Sequence, residues 1–269
     1  MPFLISNNNI RIYYEKYGSG VPIIFLHGFS LDSRMWQPQI DRFSKNHTVI
    51  VFDARGHGKS DSPETGYSRE DRTTDLRNLL DYLRFSKVHL VGFSMGGGDA
   101  LSFAIDHQER LHSLTLVGSV ASGWQPLQRL RDFSRAAKES GVEEARQQYM
   151  DSVLSYYDRR HSQVRKIMEN IIADFKGGPW LDPMRGRYEK RDDTALAAGI
   201  KVPTLIMVGQ HDIFFRKLAG QLHETIKGAR LEILQDAGHM LTLESPERFN
   251  SKLVQFLIEV RSRNLISDF

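Results

Sequence analysis

The stretch Lys87-Val88-His89-Leu90-Val91-Gly92-Phe93-Ser94-Met95-Gly96-Gly97-Gly98 decides the fold. Its first five residues form an apolar, β-branched run that reads as a buried parallel strand. The residues that follow, Asp99-Ala100-Leu101-Ser102-Phe103-Ala104-Ile105, carry the apolar spacing of a helix. A Gly-x-Ser-x-Gly between strand and helix is a tight turn that strains the serine backbone and lifts its hydroxyl clear of the sheet. Gly92 and Gly96 stand two residues before and after Ser94, where strand and helix backbones come too close for a Cβ. The Met95 N–H, at the start of the helix, then faces whatever Ser94 attacks. Ser94 is therefore a candidate nucleophile. The plainer alternative is a Gly/Ser loop that merely ends a strand.

Outward from this turn the chain alternates strands and helices. Val21-Pro22-Ile23-Ile24-Phe25-Leu26 and Thr48-Val49-Ile50-Val51-Phe52 are continuous apolar runs, the mark of central parallel strands. The first stops at His27-Gly28-Phe29 and the second at Asp53-Ala54-Arg55-Gly56-His57-Gly58-Lys59-Ser60. Residues 10–17 alternate and read as an antiparallel edge strand. Residues 35–43 have helical spacing with Ser33 as candidate N-cap, and residues 70–83 align Leu76, Leu79, Leu80 and Leu83 on one helix face. Residues 111–118 predict the next strand. The rhythm then breaks, and from Ser119 to about Gly199 the sequence holds only helical patterns over 127–140, 142–157 and 162–175. It resumes with a strand over 202–209, a helix over 215–226, a strand over 230–234 and an amphipathic helix over 246–260.

This alternation implies a mostly parallel sheet with helices on both faces. The helical stretch of roughly 80 residues is too long for a connecting loop. It is expected to be a lid over the sheet's carboxyl edge, where such sheets bind ligands. The organisation expected is a core domain of residues 1–120 and 200–269 with a helical lid of residues 121–199 inserted after the strand ending near Gly118.

Composition narrows the function classes. In 269 residues, 40% apolar and 26% charged content is ordinary for a soluble globular protein. A net charge of +3 with no long Lys/Arg run argues against a nucleic-acid partner. The absence of cysteine excludes a disulfide framework, a thiol nucleophile and a thiolate metal site. No apolar run reaches the ~18 residues of a membrane helix, and the N-terminus lacks the basic and apolar regions of a signal peptide. The expectation is a cytoplasmic protein with a small-molecule partner and no membrane partner, a homodimer being the one assembly considered. No His/Asp/Glu cluster has metal-ligand spacing, so neither metal nor cofactor is expected.

In this order His27-Gly28-Phe29, Asp53 to Ser60, Gly92-Phe93-Ser94-Met95-Gly96, Gly209-Gln210-His211-Asp212 and Gly238-His239 are highly specific, and the chain resembles an α/β-hydrolase over nearly its whole length. The likeness is strongest to capped carboxylesterases, oxoadipate enol-lactonases and carbon–carbon bond hydrolases. The Gly96-Gly97-Gly98 run also resembles the cofactor-free perhydrolases. The resemblance implies the α/β-hydrolase fold, an eight-stranded-type sheet, and a Ser-His-Asp triad.

The family's chain order places the base last, which points to His239 in Asp236-Ala237-Gly238-His239, against the plainer reading of a surface-loop histidine. The base needs a carboxylate to hold its tautomer. Asp212 lies where the family keeps that acid, although an N-cap for the next helix would also explain an aspartate there. Asp236 is the rival acid, and no carboxylate directly follows the 111–118 strand, where some relatives carry it. The resemblance assigns the oxyanion hole to the backbone N–H groups of Phe29 and Met95, and makes residues 53–60 a structural turn with His57 structural. His89, His107, His112 and His223 are expected on sheet or helix surfaces.

Substrate contacts are expected from Phe29, Phe93, Met95 and the lid aromatics Trp124, Tyr156, Tyr157 and Trp180, unless these are lid core. Arg129, Arg131, Arg135, Arg185 and Arg187 could bind a substrate carboxylate or simply form a solvated helix face. The chemistry expected is hydrolysis of a small carboxylic ester or lactone through an acyl-enzyme. Carbon–carbon bond hydrolysis and peracid formation use the same triad, and a non-catalytic ligand receptor is the reading outside enzymes. Dehalogenase and epoxide hydrolase relatives carry Asp where this chain has Ser94.

Overall fold

A computed structural model describes residues 3–122, 128–155, 161–184 and 191–267 of the chain. Among these, eight strands form one sheet: β1 (Phe3–Ile5), β2 (Arg11–Tyr17), β3 (Pro22–Leu26), β4 (Thr48–Phe52), β5 (Val88–Phe93), β6 (Leu111–Val117), β7 (Thr204–Gly209) and β8 (Arg230–Leu234). Their order across the sheet is β1-β2-β4-β3-β5-β6-β7-β8. The β1-β2 and β2-β4 pairs are antiparallel and every later pair is parallel. Residues 10–17 are thus antiparallel as expected but not the edge, because Phe3-Leu4-Ile5 pairs outside them. Three residues are too few to show a period-2 pattern.

The helices before the insertion are α1 (Gln37–Phe43), α2 (Arg69–Tyr82) and α3 (Met95–His107). The expected helix over 35–43 opens as a 3₁₀ turn at Ser33–Trp36, and Asp32 rather than Ser33 caps it by accepting the Arg34 N–H at 3.0 Å. Between β6 and β7 the described residues contain α4 (Gln128–Glu139), α5 (Val142–Leu154), α6 (Ser162–Ala173) and the short α7 (Gly178–Leu181) and α8 (Asp193–Leu196), and no strand. Then come α9 (Ile213–Thr225), α10 (Leu241–Glu244) and α11 (Pro246–Ser267).

Each central strand sends alternate residues to opposite faces, both of which are covered. Phe25, Val51, Val91, Val117 and Met207 pack on one side with Trp36, Phe43, Phe249 and Leu253. Ile24, Ile50, Leu90, Leu116 and Ile206 pack on the other with Leu76, Leu79, Leu101 and Leu218. Burial on both faces is why these strands read as unbroken apolar runs. Each such side chain contributes about 1.5–3 kcal/mol by leaving water.

The sheet order reverses at β3, whose neighbours are β4 on one side and β5 on the other. Chain segments leaving β3 and β5 therefore diverge from adjacent strand ends, the place where sheets of this kind bind ligands. His27-Gly28-Phe29 leaves β3 and Ser94 leaves β5 at that point. The return of the helical insertion is tied to the core by ion pairs. Arg191 meets Asp106 of α3 at 2.7 Å, and Asp193 meets Arg69 of α2 at 3.2 Å.

One histidine departs from the expectation set by its sequence context. His89 is not on a surface: it is buried between β5 and β6, with Nδ1 2.8 Å from Ser113 Oγ and its ring against His112. Burial, and next the positive charges that His112 and His47 can carry, push its pKa down to about 3 from the ordinary 6.5. Above pH 6.5 the group is neutral in both folded and unfolded chains and has no effect. As pH falls from 6.5 toward 3, only the unfolded chain takes up the proton, so stability is lost across that window. The expected loss is on the order of 4 kcal/mol. Urea unfolding at a series of pH values should show it, and His89→Asn, which keeps a partner for Ser113, should flatten the dependence.

Candidate active site

Ser94 stands between β5 and α3 with φ 51° and ψ −110°. This left-handed backbone is uncommon for a residue with a Cβ and costs on the order of 1–3 kcal/mol. It persists because the turn is held on all sides. The Ser94 N–H donates to Val117 O at 2.9 Å, its carbonyl accepts from Gly98 and Val120, and the Gly96 N–H donates to His27 O at 3.1 Å. A Cβ on Gly92 would collide with the carbonyl oxygen of Gly96, and one on Gly96 would lie 2.6 Å from the His27 and Leu26 carbonyl oxygens. Both glycines are therefore required by backbone contact, as the motif implied. Met95 begins α3, so its N–H has no intrahelical acceptor.

The β3 loop closes on the same point. His27 is fully engaged in the fold: its Nε2 accepts the Ala54 N–H at 2.9 Å, so Nδ1 carries the proton and donates to Gly28 O at 2.7 Å. A Cβ on Gly28 would lie 2.8 Å from the Phe93 ring and 3.4 Å from Ser94 Cβ, which puts Phe29 beside the Ser94 turn. The 53–60 turn braces this loop. Asp53 accepts the Ser33 and Lys59 N–H groups, each at 2.8 Å, and burial pushes its pKa up from the ordinary carboxylate value.

His239 and Asp212 meet across the neighbouring loops. His239 Nδ1 is 2.7 Å from Asp212 Oδ2, and the side chains are 31% and 6% exposed. A carboxylate only accepts, so Nδ1 carries the proton and Nε2 keeps its lone pair. The ring stacks on Phe215 at 4.5 Å and 17° and leans on Phe93 at 4.8 Å. The other Asp212 oxygen, Oδ1, accepts the Phe215 N–H at 3.3 Å and caps α9. One carboxylate oxygen of Asp212 thus meets His239 while the other caps the helix. Asp236, the rival, is 82% exposed and lies 3.8 Å from Arg248.

Gly118, just past β6, completes the enclosure. Its φ is +47°, and a Cβ there would sit 3.1 Å from His239 Nδ1 and 3.5 Å from Asp212 Oδ2. Val117, which accepts the Ser94 N–H, is its chain neighbour, so Ser94, Asp212 and His239 converge on the 117–118 bend. Among the described residues Ser94 Oγ and His239 form no direct hydrogen bond. Such bonds often tighten only once substrate is bound.

Above Phe29 lies an aromatic cluster contributed by the helical insertion. The Phe29 ring meets Phe175 at 5.3 Å, His57 at 5.7 Å, Trp180 at 6.0 Å and Tyr149 at 6.1 Å. Ser30 Oγ lies 2.6 Å from Phe29 O and 3.0 Å from the Tyr149 hydroxyl, so α5 is also hydrogen-bonded to the residue after Phe29. Trp180 and Phe93 are 0% and 1% exposed, packed rather than open to solvent. Arg135 is exposed and paired with Asp132, a solvated helix face. Trp124, Tyr156, Tyr157, Arg185 and Arg187 lie outside the described residues, and Arg129 and Arg131 fall where the backbone alone is described.

Two features of the site go beyond the sequence reading. Phe215 reads in sequence only as the start of a helix, yet its ring stacks on His239. Glu244 carries no motif of its own, and the one signal for it is a carboxylate five residues after Gly238-His239.

Comparison with known proteins agrees with this architecture. The family model for the alpha/beta hydrolase fold matches residues 21–246. The enol-lactonase from Burkholderia xenovorans LB400 superposes with a TM-score of 0.86 at 26% identity, covering 96% of this chain and 100% of that one. A thermophilic esterase from Thermogutta terrifontis gives 0.84 at 25% identity, covering 96% and 98%. In sequence, a 2-hydroxy-6-oxononadienedioate/2-hydroxy-6-oxononatrienedioate hydrolase of Escherichia coli is 27% identical over 278 residues, 94% of this chain and 92% of that relative. Among the described residues no helix is long and apolar enough to cross a membrane. With strand order, the strained Ser94 turn and the family match in accord, the chain belongs to the alpha/beta hydrolases.

Proposed function

We propose that this hydrolase cleaves a small carboxylic ester or lactone through an acyl-enzyme on Ser94, His239 and Asp212. The observation that carries the reading is the His239–Asp212 pair at 2.7 Å, enclosed by the same bend that accepts the Ser94 N–H. Ser94 Oγ attacks the carbonyl carbon and its proton passes to His239 Nε2. Asp212 holds the tautomer and stabilises the imidazolium that results. Negative charge developing on the carbonyl oxygen is met by the Phe29 and Met95 N–H groups, each such donor being worth on the order of 10²–10³ in turnover. His239 returns the proton to the leaving alkoxide, which departs. A water deprotonated by His239 then attacks the acyl carbon, and collapse of that second adduct frees the acid and Ser94.

In this reading residues 121–199 serve as a lid on a core of residues 1–120 and 200–269, and Phe29 borders the acyl group, with Phe93 and Trp180 packed behind it. The close packing of Phe29, Tyr149, Phe175 and Trp180 favours a short apolar acyl chain. The test is hydrolysis of p-nitrophenyl esters from acetate to octanoate, beside a lactone panel, with fluorophosphonate labelling located by mass spectrometry. Expected are a short-chain optimum and label on Ser94. Label on any other residue would refute the proposal.

A further inference from the structure

We propose that Glu244 is a positioning residue for His239, a carboxylate clamp that fixes the loop on which the base is carried. The proposal rests on the reading of His239 as base. Glu244 ends the short helix α10, and its side chain is only 2% exposed. Both carboxylate oxygens are spent on the two residues that flank His239. Oε2 accepts the Gly238 N–H at 2.5 Å and Oε1 accepts the Met240 N–H at 2.9 Å. Gly238 makes room for this contact, because a Cβ there would lie 3.2 Å from each carboxylate oxygen.

The geometry leaves little play in the base. The peptide units on either side of His239 are anchored to one rigid, ionised group, and hydrogen bonds to a charged acceptor are about twice as strong as neutral ones. The ring is held separately by Asp212 and Phe215. Backbone and ring are thus fixed by different residues, so each can be weakened alone. From the insertion side the clamp is approached by His161 Nε2, at the start of α6, 3.9 Å from Oε2. This distance is too long for a hydrogen bond.

A structural brace and a positioning residue differ in what their loss changes. Glu244→Gln keeps the shape but replaces one acceptor with an amide NH₂, which faces a backbone N–H as donor against donor. A base displaced by a fraction of an ångström to 1 Å loses turnover by up to about 10²-fold without changing substrate binding. The experiment measures kcat and KM for a short p-nitrophenyl ester with wild type, Glu244→Gln, Glu244→Asp and His239→Ala, together with melting temperature and near-ultraviolet circular dichroism. The expected result for Glu244→Gln is kcat lower by about 10–100-fold, KM within about threefold, and a cooperative melt with the native aromatic signature. Glu244→Asp, which keeps both acceptors, should recover part of the loss.

Glu244→Gln with kcat within about twofold of wild type would overturn the proposal. So would a loss of kcat matched by loss of the cooperative melt, which would make Glu244 a structural brace only. His239→Ala with wild-type turnover would instead remove the base reading itself, an outcome distinguishable from both.

Discussion

Ser94→Ala is expected to lower kcat for ester hydrolysis by on the order of 10⁵–10⁶-fold with KM little changed. Alanine removes the hydroxyl that forms the covalent bond in the proposed mechanism, and no other hydroxyl occupies the turn between Gly92 and Gly96. Residual rate would come from the Phe29 and Met95 N–H groups and from substrate binding, which in comparable enzymes sustain about 10³–10⁴ over water. Folding should not suffer. The substituted alanine would inherit the same left-handed backbone, whereas Ser94→Gly should relieve it and raise stability by about 1 kcal/mol. Parallel kinetics and urea titrations separate the two effects. Turnover that survives Ser94→Ala would move the chemistry away from this turn.

Asp212→Asn should lower kcat by on the order of 10⁴-fold while leaving stability nearly intact. The reasoning uses both contacts of this side chain. Asparagine caps helices as well as aspartate does, so its oxygen stays on the Phe215 N–H that Oδ1 now accepts. That choice turns the amide NH₂ toward His239 Nδ1. The imidazole must then accept at Nδ1 and carry its proton on Nε2, where it can no longer take one from Ser94. Asp212→Ala should lose similar activity and in addition about 1 kcal/mol of helix capping. Activity of Asp212→Asn within tenfold of wild type would hand the acid's role to another residue.

The parts of this molecule that could be read from its sequence are those whose physics is local. Apolar runs buried on both sheet faces announce β3 to β7, and the glycines around Ser94 announce a turn in which backbones touch. What was missed depends on contacts between segments far apart in the chain. The extra strand at Phe3–Ile5 is three residues long and is defined only by its pairing with β2. His89 sits in an apolar strand whose depth depends on the neighbours across β6, so its burial was hidden. Glu244 looks like any charge near a helix end until its loop folds back over Gly238 and Met240. Asp212 shows the converse, since two readings that compete on paper are compatible in space because a carboxylate has two oxygens.

The bend at Gly118 limits which residues its position tolerates. Its φ is +47°, and a Cβ there would sit 3.1 Å from His239 Nδ1 and 3.5 Å from Asp212 Oδ2. A side chain at 118 would therefore disturb the His239–Asp212 contact without altering either residue. The bare glycine is as much a part of that pair's geometry as the two side chains that form it.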